Sequence, residues 1–180
     1  MLKNLIVYYF CLLDVLKSSD DRTYIIPTRG NFRESATYTS GTTSRNVITL
    51  GYRPGEKEQA GQLADLLENE PIDIIVCSDL ARSYDTAMAV ARRKGIEPVA
   101  TPLLREMDWG IYTGKQLDDV DWLNLPPSVE SLDTLFQRAI DFIDYLKKNF
   151  PGQRVLAIGH GAFNRAIIAY LEGKKATDMI

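Results

Sequence analysis

Histidine is almost absent from this chain of 180 residues, which has only His160. One histidine excludes zinc sites of the His-rich kind and any mechanism that needs two histidines. Cysteine is nearly as scarce. Cys11 and Cys77 stand far apart, so neither a disulfide framework nor a Cys-based zinc site is expected. No metal or other cofactor is expected. Net charge is −3 and no Lys/Arg-dense run occurs, which argues against a nucleic-acid partner. Residues 4 to 13 form an apolar run behind Lys3 that is too short to span a bilayer. A basic start before an apolar stretch is also how a signal peptide begins. However, Asp14 and Lys17 follow, and no small-x-small cleavage site comes at the right place. The run therefore reads as a buried strand or helix. The protein is expected to be cytoplasmic, with reduced thiols and no membrane partner.

What the chain does have is ordinary globular material. Apolar residues make up 45% and charged residues 25%, enough for one domain over residues 1–180 to bury a core. Residues 35 to 50 are rich in Ser, Thr and Gly and read as a long loop. Regular patterning follows. Ala60, Leu63, Ala64, Leu66 and Leu67 recur at helical spacing over 55–69, and Pro71 ends that helix. The run from Ile72 to Cys77 suits a buried parallel strand. Asp79 is placed to cap a helix over 80–94 that Lys94-Gly95 ends. A short strand is expected over Glu97 to Ala100. A helix over 131–149 carries Leu132, Leu135, Phe136, Ala139, Ile140, Ile143 and Leu146 on one stripe. A strand from Arg154 to Ile158 leads through Gly159-His160-Gly161 into a last helix over 162–172.

This alternation predicts an α/β fold, a three-layer α/β/α sandwich with a mostly parallel sheet. Ligands of such sheets bind beyond the carboxyl ends of the strands. Three ends then matter: Pro27 to Gly30, Cys77 to Asp79, and Gly159 to Gly161. With the intervening Leu104-Arg105-Glu106, they bring Arg29, Arg82, Glu106 and His160 within range of one pocket. That set suits phosphoryl chemistry. Arginine matches phosphate oxygens with a planar fork of donors, and the glycines flanking His160, Gly159 and Gly161, allow close backbone approach. The N–H groups opening the following helix favour an anion, and Glu106 could protonate a leaving alcohol. Each residue also has a plainer reading. Arg82 could be a surface arginine and Glu106 a solvated loop carboxylate. Arg105, Arg165 and Arg92-Arg93 read as solvated, and Trp109 and Trp122 as packing anchors.

The order of these motifs resembles the histidine phosphatase superfamily, or phosphoglycerate mutase-like family, in its bacterial-type phosphatase branch. Gly55-Glu56-Lys57-Glu58-Gln59-Ala60 resembles the opening of the family's first core helix. Cys77-Ser78-Asp79-Leu80-Ala81-Arg82-Ser83-Tyr84-Asp85-Thr86-Ala87 resembles its S-D-L-x-R-x-x-x-T-A signature. Leu104-Arg105-Glu106-Met107-Asp108-Trp109-Gly110 resembles L-R-E-x-D-x-G, with Tyr112-Thr113-Gly114-Lys115 as its extension. Glu130-Ser131-Leu132 resembles the start of the next helix, and Gly159-His160-Gly161 the second-histidine motif.

The resemblance implies a phosphoglycerate mutase-like fold and a phosphoric monoester hydrolase. In that family a first histidine, in Arg-His-Gly after the first strand, becomes phosphohistidine. Arginines and a second histidine stabilise the transferred charge, and a carboxyl group serves the leaving group and then water. Carried over, Glu106 and His160 are catalytic, and Arg29, Gly30, Arg82 and Gly161 hold phosphate. Where Arg-His-Gly is expected, however, the chain reads Thr28-Arg29-Gly30. Arginine stays protonated and cannot accept a phosphoryl group. The resemblance also makes residues 1–23 an N-terminal extension and leaves the family's final strand missing after residue 180. Three functions follow: a phosphomonoesterase impaired in turnover, a pseudoenzyme binding phosphorylated ligands or protein partners, and a mutase-type phosphotransferase. A purely structural domain is the fourth. Substrate identity and oligomeric state are not legible.

Overall fold

The computed structural model describes residues 5–8, 25–26, 56–115, 120–122 and 124–179. Their chain order is β1 (Leu5–Tyr8), β2 (Ile25–Ile26), α1 (Glu56–Leu66), β3 (Ile74–Ser78), α2 (Ala81–Lys94), β4 (Val99–Thr101), α3 (Leu132–Asn149), β5 (Val155–Ile158) and α4 (Gly161–Leu171). Short 3-10 turns lie at Pro102–Leu104, Gly110–Tyr112 and Ala176–Met179. The strands form one sheet in the order β2-β1-β5-β3-β4, and all four pairings are parallel.

Strand pleating sorts the side chains into two layers. Ile75 and Cys77 of β3 are in register with Leu156 and Ile158 of β5, and these four pack with Leu63 and Leu67, Ala87 and Val90 from the α1–α2 side. The alternate positions, Val76, Val155 and Ala157, pack instead with α3 and α4. Successive strand residues face opposite ways, so continuous apolar runs are what a sheet covered on both sides needs. The three-layer arrangement expected from the β–α alternation is present.

The element bounds differ from the sequence reading at their ends. α1 stops at Leu66, three residues early, and turns through 67–70 to Pro71. Lys94 then donates to the carbonyls of Glu68 (2.6 Å) and Glu70 (2.8 Å), satisfying acceptors beyond that helix end. α2 closes at Gly95, whose φ of +67° is the left-handed conformation glycine adopts freely. Asp79 does not cap α2, because Leu80 is the N-cap residue and no side chain bonds there. In α3, Ser131 Oγ accepts the Thr134 N–H at 3.1 Å, an N-cap bond. Phe142, absent from the expected stripe, is fully buried and meets Phe163 of α4 edge-on at 6.2 Å.

The larger difference concerns the first strand. The sequence reading set the end near Pro27 beside the other two strand ends. Instead β1 occupies the place next to β5, with Tyr8 in register with Ile158, and β2 lies outside β1 at the sheet edge. At about 4.8 Å per strand, β2 is about 10 Å from β5. Residues 5–8 are thus an interior strand of the sheet. The Ser/Thr-rich loop of 35–50 lies outside the described residues.

Candidate active site

Three loops converge at the carboxyl ends of β3, β4 and β5. β3 ends in Ser78, where the side-chain oxygen accepts the Leu80 N–H at 3.3 Å, and α2 starts with Arg82 in its first turn. Ser83, one residue on, donates to the Ile158 carbonyl at 2.8 Å and ties the start of α2 to the end of β5. β4 leads through Pro102–Leu104 to Glu106. β5 leads to His160, the N-cap residue of α4.

Glu106 closes the cluster. Its Oε1 accepts the N–H of its neighbour Met107 at 2.9 Å and that of Ala162 at 3.1 Å, and its carboxylate also accepts from Phe163 N–H. Two N–H groups in the first turn of α4, those of Ala162 and Phe163, are therefore met by the protein's own carboxylate. A carboxylate at a helix N-terminus is stabilised by about 0.3–1 kcal/mol, more where partly buried. Burial nevertheless raises the pKa of Glu106 above its ordinary value. The Met107 N–H, the Arg82 charge and the two α4 N–H groups work against that rise. A carboxyl group so placed holds its proton to higher pH than an ordinary one, as a general acid must.

His160 is 2% exposed, and its Nε2 meets no hydrogen-bond partner among the described residues. Its pKa lies well below the usual 6.5, first because of burial and then because of the charges on Arg82 and Arg138. The ring is therefore neutral at pH 7, with its buried nitrogen available to a ligand. Gly159 fits because its backbone runs against Asn164: a Cβ there would lie 2.5 Å from Asn164 Oδ1. Gly110 has φ +47° and packs on the Ser128 carbonyl, where no side chain fits.

Of the residues expected at the site, Arg82, Glu106 and His160 come together, since the Arg82 charge acts on both others. Gly161 opens α4 beside them. Arg29 and Gly30 lie outside the described residues. Two arginines read as solvated also have fixed surroundings, Arg105 while its side chain stays 43% exposed. Arg105 forms a bidentate pair with Asp79, at 2.7 and 2.5 Å, which binds the loop after β4 to the loop after β3 and engages the carboxylate of Asp79 away from α2. Arg165 has a buried Nε without a partner among the described residues, and it lines a small cavity with Met107, Trp122, Ala162 and Met179. Trp109 and Trp122 do pack, edge to face at 5.7 Å. The sequence reading missed Arg138, whose spacing on α3 gave no sign that it reaches the Glu106 loop. Among the described residues, no cluster of His, Cys, Asp and Glu could hold a metal ion. Nor is any helix among them long and apolar enough to cross a membrane.

Comparison with known proteins agrees with this geometry. The chain is 30% identical over 131 residues to phosphoserine phosphatase 1 of Hydrogenobacter thermophilus, a match covering 65% of this chain and 62% of that protein. It is 29% identical over 136 residues to the adenosylcobalamin/alpha-ribazole phosphatase of Escherichia coli, covering 68% and 67%. The chain thus spans a little under two thirds of the first of these relatives. Among solved structures, the alpha-ribazole phosphatase from Shigella flexneri superposes with a TM-score of 0.60 at 28% identity, covering 68% of each chain. A mycobacterial hydrolase shares the fold with a TM-score of 0.62 at 24% identity, covering 68% and 69%. The model of the histidine phosphatase superfamily (branch 1) matches residues 54–180. With the Arg82–Glu106–His160 cluster inside the matched region, the chain belongs to the histidine phosphatase superfamily.

Proposed function

We propose that this protein binds phosphate or a small phosphomonoester between Arg82, Glu106 and His160 and turns it over poorly. The observation that carries the reading is the paired state of Glu106 and His160. One is a carboxyl group with a raised pKa, the other a neutral buried imidazole, and both lie beside the same arginine. Such a set can bind a dianion and protonate a leaving alcohol. The family's first, nucleophilic histidine has no counterpart at Thr28-Arg29-Gly30, and His160 is the sole histidine. Relatives named for phosphoserine and alpha-ribazole phosphatase activity support a small phosphorylated molecule as ligand. The buried free thiol of Cys77 accords with a cytoplasmic setting. The second reading, a pseudoenzyme that binds phosphorylated ligands or proteins without turnover, draws on the same missing histidine.

The test is hydrolysis of p-nitrophenyl phosphate across a pH series, beside calorimetric titration with inorganic phosphate. Phosphate binding that His160→Ala weakens, with little or no turnover, is the expected result. Turnover at rates usual for enzymes, lost in His160→Ala, would overturn the claim of impairment. Absence of phosphate binding would overturn the site itself.

A further inference from the structure

We propose that Arg138 is a positioning residue, which clamps the loop after β4 so that Glu106 is held at the start of α4. The inference rests on the reading of Glu106 as proton donor. Arg138 lies near the middle of α3 and reaches under the loop. Its Nη1 donates to the carbonyls of Leu103 (3.0 Å) and Arg105 (2.7 Å). Its Nη2 donates to Glu130 Oε2 (2.8 Å) and, at a longer 3.5 Å, to the Glu106 carbonyl. Its Nε donates to Glu130 Oε1 at 3.1 Å. A guanidinium has five N–H donors, and these five bonds use all of them. Arg138 is thus saturated and has no donor left for a phosphate, unlike an arginine that clamps a ligand.

The rest of the surroundings tighten the same loop. Glu130 Oε2 also accepts the Asp108 N–H at 3.2 Å, and the Glu130 N–H donates to the Asp108 carbonyl at 2.8 Å. The guanidinium carbon sits 4.4 Å from the centre of the Phe163 ring, and the Phe163 N–H donates to the Glu106 carboxylate. Arg138 therefore touches the backbone of the Glu106 loop and, on α4, the side chain of Phe163, whose N–H meets Glu106. With side chains only 18% and 12% exposed, Arg138 and Glu130 are shielded enough for the pair to be directional. Lysine, a single ammonium on a flexible stem, cannot span three carbonyls and a carboxylate.

The experiment follows the Glu106 carboxyl by carbon-13 NMR of Glu-labelled full-length protein through a pH titration, in wild type, Arg138→Lys and Glu130→Gln. Glu106→Gln assigns the signal. The charged and titratable groups acting on Glu106 and its loop are Arg82, Arg138, Glu130, Asp108, the Arg105–Asp79 pair and, through Arg82, His160. Arg138→Lys keeps the positive charge, so loss of the clamp is what it reports. Wild-type Glu106 is expected to titrate above its ordinary value. In Arg138→Lys the loosened loop admits water, and the midpoint is expected to fall by about half a unit or more toward that value. Glu130→Gln keeps the bonds to the carbonyls and shifts it less, in the same direction. It remains informative if Arg138→Lys does not fold. Unchanged Glu106 midpoints in the folded variants would overturn the proposal. A shifted midpoint in a protein that neither binds nor hydrolyses phosphomonoesters would leave the clamp standing and remove the functional reading instead.

Discussion

Anion binding at this site is expected to draw in a proton, because His160 starts neutral. Burial, then Arg82 and Arg138, hold its pKa well below 6.5. A ligand dianion entering beside the ring reverses that balance. One opposite charge at about 4 Å, in an effective dielectric of about 20, is worth about 4 kcal/mol. At about 1.4 kcal/mol per unit, that lifts the pKa by about three units. The ring is then more readily protonated with the ligand bound than without it. Sulfate is the suitable probe, since it does not itself titrate in this range. Calorimetry in two buffers of different ionisation enthalpy should show net proton uptake on binding. Between the free and bound pKa values, sulfate affinity should weaken up to about tenfold per unit rise in pH. Glu106 is the other group that can take up a proton, so Glu106→Gln separates its share. His160→Gln should remove the rest. Equal heats in both buffers, with sulfate affinity flat from about pH 6 to about pH 8, would refute the reasoning. So would undiminished proton uptake in the double variant.

Two further predictions test the frame around the site. Gly159→Ala sets a Cβ 2.5 Å from Asn164 Oδ1 and 3.3 Å from Leu104 Cδ2. It should cost about 1–3 kcal/mol in urea unfolding. Adding Asn164→Ala should recover part of that loss, whereas strictly additive losses would show that the two do not meet. Cys77 is fully buried, and burial followed by the Asp79 charge pushes its thiol pKa up to about 12. In a Cys11→Ser background, Ellman's reagent should therefore label nothing until urea unfolds the protein. Rapid labelling of the native protein would contradict the burial.

The parts of this fold legible in the sequence are those that depend on local periodicity. The β-branched run ending at Cys77 and the stripe from Leu132 to Leu146 each state their own element, because burial on two sheet faces or one helix face imposes a fixed repeat. Element ends were less legible. α1 stops before its apolar pattern does, since Lys94 from another helix satisfies carbonyls beyond it. Arg105 and Arg165 read as solvated because nothing adjacent in sequence calls for them. Their surroundings, Asp79 for one and a cavity beside Met107 for the other, come from distant parts of the chain. Within the candidate site, Arg82, Glu106 and His160 each follow a strand, and strand ends are where an α/β sheet gathers its functional groups.

By itself the sequence determined the layer order, the family and the shortage of histidine, all carried by residue types and spacing along the chain. Tertiary structure alone decided which strand stands beside His160. Parallel pairing joins strands remote in sequence, and β1 rather than the strand near Pro27 took that place. It also decided that Glu106 meets the N–H groups of Ala162 and Phe163 in the first turn of α4, and that Arg138 divides its donors between the carbonyls of the Glu106 loop and the Glu130 carboxylate. Those outcomes depend on distances between side chains dozens of residues apart, which no local pattern encodes.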